Sequence, residues 1–225
     1  MNVYLDIETI PTQRDDLRAE FAAAVKPPAN YKKPDTIAEW MHDNRDIEVA
    51  EAIAKTSFDG AYGHILCIGV AFDDQAPEVF CSATSAADAP SSEPLMLRAF
   101  IDWFKAKVDQ YDRPLFIGHN LIEFDLRFLF QRSIVCGIAP SAYIPFDKRP
   151  WDDGVYDTMV KWAGTKNRVG LDKLAKALGL QGKGGIDGSM VWPMVQEGRI
   201  KEVCDYCAAD VALTREVYKR MTFQA

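Results

Sequence analysis

Three short stretches of the chain carry residues whose types and spacing could do chemistry. The first is Asp6-Ile7-Glu8. In an extended segment, residues two apart face the same side. Two carboxylates sharing a face repel each other unless a cation sits between them. Oxygen-only ligands of this kind favour a hard ion such as Mg²⁺ or Mn²⁺. The second stretch is His119-Asn120-Leu121-Ile122-Glu123-Phe124-Asp125, which runs into Leu126, Phe128, Leu129 and Phe130. It places Asp125 in the first turns of a largely buried helix. A helix dipole favours an acid there, but does not account for the preceding Gly118-His119-Asn120. The third is Tyr206-Cys207-Ala208-Ala209-Asp210. Positions i and i+4 lie one above the other on a helix, so the phenol and the carboxylate project together, beside an apolar stripe of Val203, Cys207 and Val211. Cys204-x-x-Cys207 has no second Cys/His pair near it, and is read as packing rather than as a zinc or redox site.

The elements that must position these residues can be read from hydrophobic pattern and turn chemistry. Residues 2–6 read as a short strand that ends at the Asp6-Ile7-Glu8 pair. Next comes a polar stretch from about 11 to 60, in which Thr36-x-x-Glu39 has the form of a capping box before a short helix. This insert is too polar for a core of its own and is expected to pack across the outside of the main body. His64 to Phe72 is a buried strand with a returning partner at Glu78 to Cys81. A helix opens at Ser91-Ser92-Glu93-Pro94, with Met96, Phe100, Trp103 and Phe104 at helical spacing. Pro114 to Gly118 is a fourth strand, and a helix from Ile122 to about Val135 ends at Gly137. Val155-Tyr156 gives a fifth strand, with Asp157-Thr158 capping the next helix. Leu171, Leu174, Ala175 and Leu178 mark a short helix, and Arg199 to about Met221 the last one. The succession is α/β with a mixed sheet of about five strands, within a single domain spanning residues 1–225.

Composition bounds the function. The 225 residues are 48% hydrophobic and 26% charged, the profile of an ordinary globular chain. The apolar patch Ala61 to Phe72 is about half of the roughly 20 residues a membrane span needs. Asp6 and Glu8 so near the N-terminus do not fit a secretory leader. Five scattered cysteines suit reduced thiols in a cytoplasmic protein. The net charge of −7 opposes non-specific binding to a polyanion. Its distribution is uneven, however. Lys161, Lys166, Arg168, Lys173, Lys176 and Lys183, with Asp172 the one acid between them, make a strip of +5 on a body of −12. Such a strip suits local contact with a phosphate chain, or else a solvated helix face.

Taken in order, Asp6-x-Glu8, Asn120-x-x-x-Phe124-Asp125 and Tyr206-x-x-x-Asp210 resemble the three exonuclease motifs of the DEDD superfamily in its tyrosine-bearing (DEDDy) branch. The second and third are most similar to the proofreading 3′–5′ exonuclease domain of family B DNA polymerases. Gly170-Leu171-Asp172-x-Leu174-Ala175 and Asp187-Gly188-Ser189-x-Val191 resemble its stand-alone relatives. The resemblance implies a ribonuclease H-like fold with Asp6, Glu8, Asp125 and Asp210 holding two divalent cations, Mg²⁺ or Mn²⁺. One ion would lower the pKa of the attacking water and the other would stabilise the leaving 3′ oxygen. It further implies that Tyr206 orients that water, that Thr9 holds the 3′ end through its backbone, and that Asn120 helps to position substrate. The implied substrate is a single-stranded DNA 3′ end, released as nucleoside monophosphates, with RNA as the alternative because 2′-OH discrimination is a local steric matter. Asp157 is either a capping residue or close to the site. The insert is longer than the chemistry needs.

Asp6-Ile7-Glu8-Thr9 also has a superficial likeness to haloacid-dehalogenase-type phosphatases. That chemistry wants a second Asp where Glu8 stands, and it leaves Tyr206 and Asn120 without a role. A binding or scaffold protein of the same fold would be expected to have a broken carboxylate set.

Overall fold

In the computed structural model, which describes residues 1–109, 114–182 and 184–224, the chain builds five strands into one mixed sheet. The strands are β1 (Asn2–Ile10), β2 (His64–Phe72), β3 (Glu78–Cys81), β4 (Leu115–Gly118) and β5 (Val155–Asp157), in the order β3-β2-β1-β4-β5. The three on one side form an antiparallel meander, while β1, β4 and β5 run parallel. The central strand β1 is longer than the sequence pattern suggests. It continues past the acidic pair to Ile10, so Glu8 lies within it and not at its end. The ladder to β2 holds Glu8↔Cys67 and then shifts register before Thr9. A bulge at this point re-aims the side chains beyond it.

The period of two in β1 decides what each sheet face meets. Val3, Leu5 and Ile7 enter the main core against Leu97, Phe100 and Phe104 of α3 (Ala89–Val108), and Leu126, Phe128 and Leu129 of α4 (Leu126–Val135). Tyr4, Asp6 and Glu8 face the opposite layer, where Tyr4 packs with Val211 and Tyr218 of α8 (Ile200–Met221). The result is three layers, with α8 packed on the acidic face of the central strand, flanked by the short helices α6 (Leu171–Ala177) and α7 (Val191–Gln196). Its approach is close because of Gly69: a Cβ there would lie 2.9 Å from Cys207 Sγ and 2.9 Å from Val211 Cγ2.

Three further expectations need correction. Helix α3 starts at Ala89, two residues before the Ser-Ser pair. The insert holds two helices, α1 (Asp15–Ala24) and the 22-residue α2 (Pro34–Lys55), not one short one. The capping box does not form. Lys33 is the N-cap, Pro34 the first helical residue, and Thr36 Oγ1 donates instead to Lys33 O. Few residues of these two helices are buried (Leu17, Val49 and Ile53), as expected for a segment lying across the outside.

The insert rejoins the core through a buried charge cluster. Glu93 of α3 is fully buried and accepts from Ile65 N (2.8 Å), Arg132 Nε (2.9 Å) and Arg132 Nη2 (2.7 Å). Its other contact is His64 Nδ1 at 2.9 Å. Arg132 Nη1 in turn donates to Gly60 O, at the end of the insert. Burial alone would raise the Glu93 pKa, but the hydrogen bonds from His64 and Arg132 hold it below the ordinary range.

Candidate active site

The parallel strands β4 and β5 end together, at Gly118 and Asp157, and the candidate residues gather there. Pairing of β4 with β1 extends only from Asn2 to Tyr4. Farther along β1, the Asp125 carboxylate accepts from Ile7 N (3.0 Å). Asp125 thus sits against the backbone between Asp6 and Glu8, 3% exposed. Burial, and then the nearby Asp6 charge, push its pKa well above the usual carboxylate range.

The turn that delivers Asp125 is unusual and accounts for the residues before it. Leu121–Asp125 form one turn of π-helix, entered through Asn120 in the left-handed region at φ 65°. Asparagine tolerates that region better than most residues. Gly118 leaves room for Leu121, whose Cβ would be 2.7 Å from any side chain at that position. Asp157 answers the question left open by the sequence by doing both things. It caps the following helix α5 (Thr158–Ala163) through Met159 N and Val160 N, and it also accepts from Asn120 N (3.1 Å) and Ile122 N (3.3 Å). Fully buried, it holds the Asn120 turn in place. His119 adds a second anchor, with Nδ1 2.9 Å from Thr158 Oγ1 and Nε2 2.7 Å from Val169 O.

Asp6, Glu8 and Asp210 come together across the gap between β1 and α8. One carboxylate oxygen from each lies within 4.8 Å of the other two. Glu8 and Asp210 are buried and Asp6 partly so. This all-oxygen set of acids, brought together where they would repel one another, is the chemistry a divalent cation requires. Asp125 stands beside the triad rather than in it. Tyr206 lies one turn before Asp210 on the same face, 8% exposed. Its pKa is raised far above that of an ordinary phenol by burial and by the charges of Asp210, Glu8 and Asp6.

Two clefts flank this cluster. One, about 290 Å³, runs along Tyr206, Asp210, Gly182, Leu213 and Arg215. The other, about 450 Å³, is lined by Thr9, Lys55, Phe58, Ser189 and Trp192. Thr9 Oγ1 donates to Ser57 O (2.7 Å), fixing the insert's last turn to the strand. A third cavity, about 460 Å³ beside Tyr143 and Lys148, opens at the starts of β4 and β5, away from the acids.

Residues 62–225 match a family described as predicted 3′–5′ exonucleases related to the exonuclease domain of PolB. The chain belongs to this family. Its fold is that of the PolB exonuclease, ribonuclease H-like: 99% of the chain superposes on the family B DNA polymerase from the hyperthermophilic archaeon Pyrobaculum calidifontis, with a TM-score of 0.55 and 16% identity. The chain spans 24% of that polymerase's length. No curated protein matches the sequence. Among the described residues, no helix is long and apolar enough to cross a membrane.

Within this exonuclease-type chain, the wall of the larger cleft was missed by sequence reasoning. Phe58 is 75% exposed, with its ring 6.4 Å from that of Phe124, the residue before Asp125. The signal was an aromatic residue at the end of a polar insert. The basic strip is partly neutralised: Arg168 pairs with Glu123 (3.3 Å) and Lys176 with Asp172 (2.7 Å), while Lys161 lies over the Tyr156 ring. Lys183 lies outside the described residues.

Proposed function

We propose that the protein is a metal-dependent 3′–5′ exonuclease of the DEDDy type, releasing nucleoside monophosphates from single-stranded DNA ends, with residues 1–225 acting as one domain. The observation that carries this reading is the convergence of Asp6, Glu8 and Asp210 within 4.8 Å, with Tyr206 packed on the same helix face. Asp6, Glu8, Asp210 and Asp125 would hold two divalent cations, Mg²⁺ or Mn²⁺. When bound, such ions supply a Lewis acid and a hydroxide-like nucleophile at neutral pH.

The chain's own residues do the rest. A Tyr206 phenol with a raised pKa keeps its proton at neutral pH, so it is a hydrogen-bonding group that orients water, and not a base. Asn120 Oδ1 is buried and accepts no hydrogen bond among the described residues. An acceptor left in that state costs about 1–3 kcal/mol, which a donor on the terminal nucleotide would recover. Thr9, which lines the larger cleft, would hold the 3′ end through its backbone. Phe58, exposed beside Phe124, offers the flat apolar face on which unpaired bases stack.

The test is digestion of 5′-labelled DNA and RNA oligonucleotides, single- and double-stranded, with Mg²⁺, Mn²⁺ or EDTA. A ladder shortening from the 3′ end of single-stranded DNA, abolished by EDTA, is expected. Activity undiminished in EDTA would overturn the metal reading, and internal cuts would overturn the exonuclease reading. Preference for RNA would move the substrate to the ribonuclease alternative.

A further inference from the structure

Four of the five cysteines, distant in sequence, meet on one side of the sheet. Cys67 and Cys81 are direct partners in the β2–β3 ladder, so their side chains leave the same face. Gly69, two residues beyond Cys67, shares that face and lies under Cys207. One turn earlier on α8, Cys204 therefore stands over the Cys67/Cys81 pair. The thiols are electrostatically linked accordingly, Cys204 with both Cys67 and Cys81, and Cys67 with Cys207. The expectation that Cys204 and Cys207 have no second pair nearby is thus corrected by the fold.

A zinc site would need all its sulfurs together, roughly 3.8 Å apart around a 2.3 Å bond. Among the described residues, no three of these sulfurs lie within 4.8 Å of one another. Pairwise chemistry remains. Thiols donating to Cys204 pull its pKa below the ordinary thiol range, and the thiolate is the reactive form. Cys67 and Cys207 are buried, whereas Cys204 is half-buried and Cys81 exposed. Of the cysteines that face one another here, Cys204 and Cys81 are the two that solvent can reach.

We propose that Cys204 and Cys81 form an oxidant-sensitive dithiol that closes to a disulfide with hydrogen peroxide. Cys204 Sγ attacks one peroxide oxygen, the O–O bond breaks, and the departing hydroxide takes a proton to become water. The resulting sulfenic acid condenses with the Cys81 thiol, forming the S–S bond and releasing a second water. Two thiols are oxidised and one peroxide is reduced to two waters. The bond ties edge strand β3 to α8, two residues from Tyr206.

The experiment treats the intact protein with peroxide, blocks remaining thiols with N-ethylmaleimide and maps the linked peptides by mass spectrometry. Titratable thiols should fall from five to three, with a Cys81–Cys204 linked peptide that dithiothreitol removes. In Cys81→Ser, Cys204 should instead be trapped by dimedone as sulfenic acid. Cys204→Ser should abolish the loss. A Cys67–Cys204 or Cys67–Cys81 link, zinc retained by the purified protein, or five thiols persisting after treatment would each overturn the proposal. The wild-type map stands whether or not a variant folds, and none of these readings depends on nuclease activity.

Discussion

Tyr206 and Asp210 share a helix face but should fail differently when altered. Tyr206→Phe keeps the ring and removes one oxygen, so kcat should fall about 10²–10⁴-fold with Mn²⁺ affinity unchanged by calorimetry. Asp6→Ala, which deletes a ligand, should cost more and weaken Mn²⁺ binding as well. A phosphatase with Asp6 as nucleophile would leave Tyr206→Phe fully active. Asp210→Asn should abolish turnover while the metal-free protein melts at the same or a higher temperature, because a charge is lost from a crowded set of acids. Asp125 contributes a pH dependence of its own. Its folded pKa lies above the ordinary 3.8, so the native state holds a proton that the unfolded chain releases. Metal-free stability should therefore fall as pH rises above about 4, and the Tm gain from added Mn²⁺ should grow over the same range. A pH-independent metal effect in differential scanning fluorimetry would contradict this. Asp6, Glu8, Tyr206 and Asp210 were readable because periods of two and of four residues put side chains together without knowledge of the fold. The double duty of Asp157 was not, since its partners at Asn120 and Ile122 are some 35 residues away.

Elements bring together what sequence keeps apart. The insert's long helix showed only a faint pattern because Val49 and Ile53 are its only buried residues, yet it delivers Phe58 to the cleft. Phe58→Ala should raise KM for single strands about 5- to 150-fold by removing about 1–3 kcal/mol of stacking per base, with little change in kcat for a bound strand. The Glu93–Arg132 pair is the opposite case: it was invisible in sequence, where Glu93 read as part of a helix start. Glu93→Gln leaves Arg132 as a buried charge without its full partner and should cost about 3–5 kcal/mol, read from denaturant melts. Because the folded Glu93 pKa is lowered, its contribution is complete above the ordinary glutamate value of 4.5 and is lost as pH falls through the folded one. The wild-type protein should show that acid-side loss and Glu93→Gln should lack it. The cysteine cluster was hidden for the same reason: Cys67 and Cys81 are adjacent to Cys204 only through the topology.

At the scale of the whole molecule, an acidic body with a partly neutralised basic strip cannot grip a polyanion over a long footprint. Binding of single strands should weaken with salt along a shallow slope, about −1 to −2 in log–log terms, at roughly −0.7 per phosphate engaged. A steep slope would mean a wider basic surface in use. The five-strand α/β order was legible because strands and helices alternate in pattern. The spacing between layers was not, since it depends on which side chains are absent. Gly69 is the case in point. Its bare backbone lets α8 settle onto β2, and the depth of that seat fixes how far Asp210 stands from Asp6 and Glu8. In the metal reading, this distance selects ions by size. Mg²⁺ wants oxygens at about 2.0–2.1 Å, Ca²⁺ at about 2.3–2.6 Å. Gly69→Ala would lift the helix and open the bite, moving preference from the small ion toward the large one without touching a ligand.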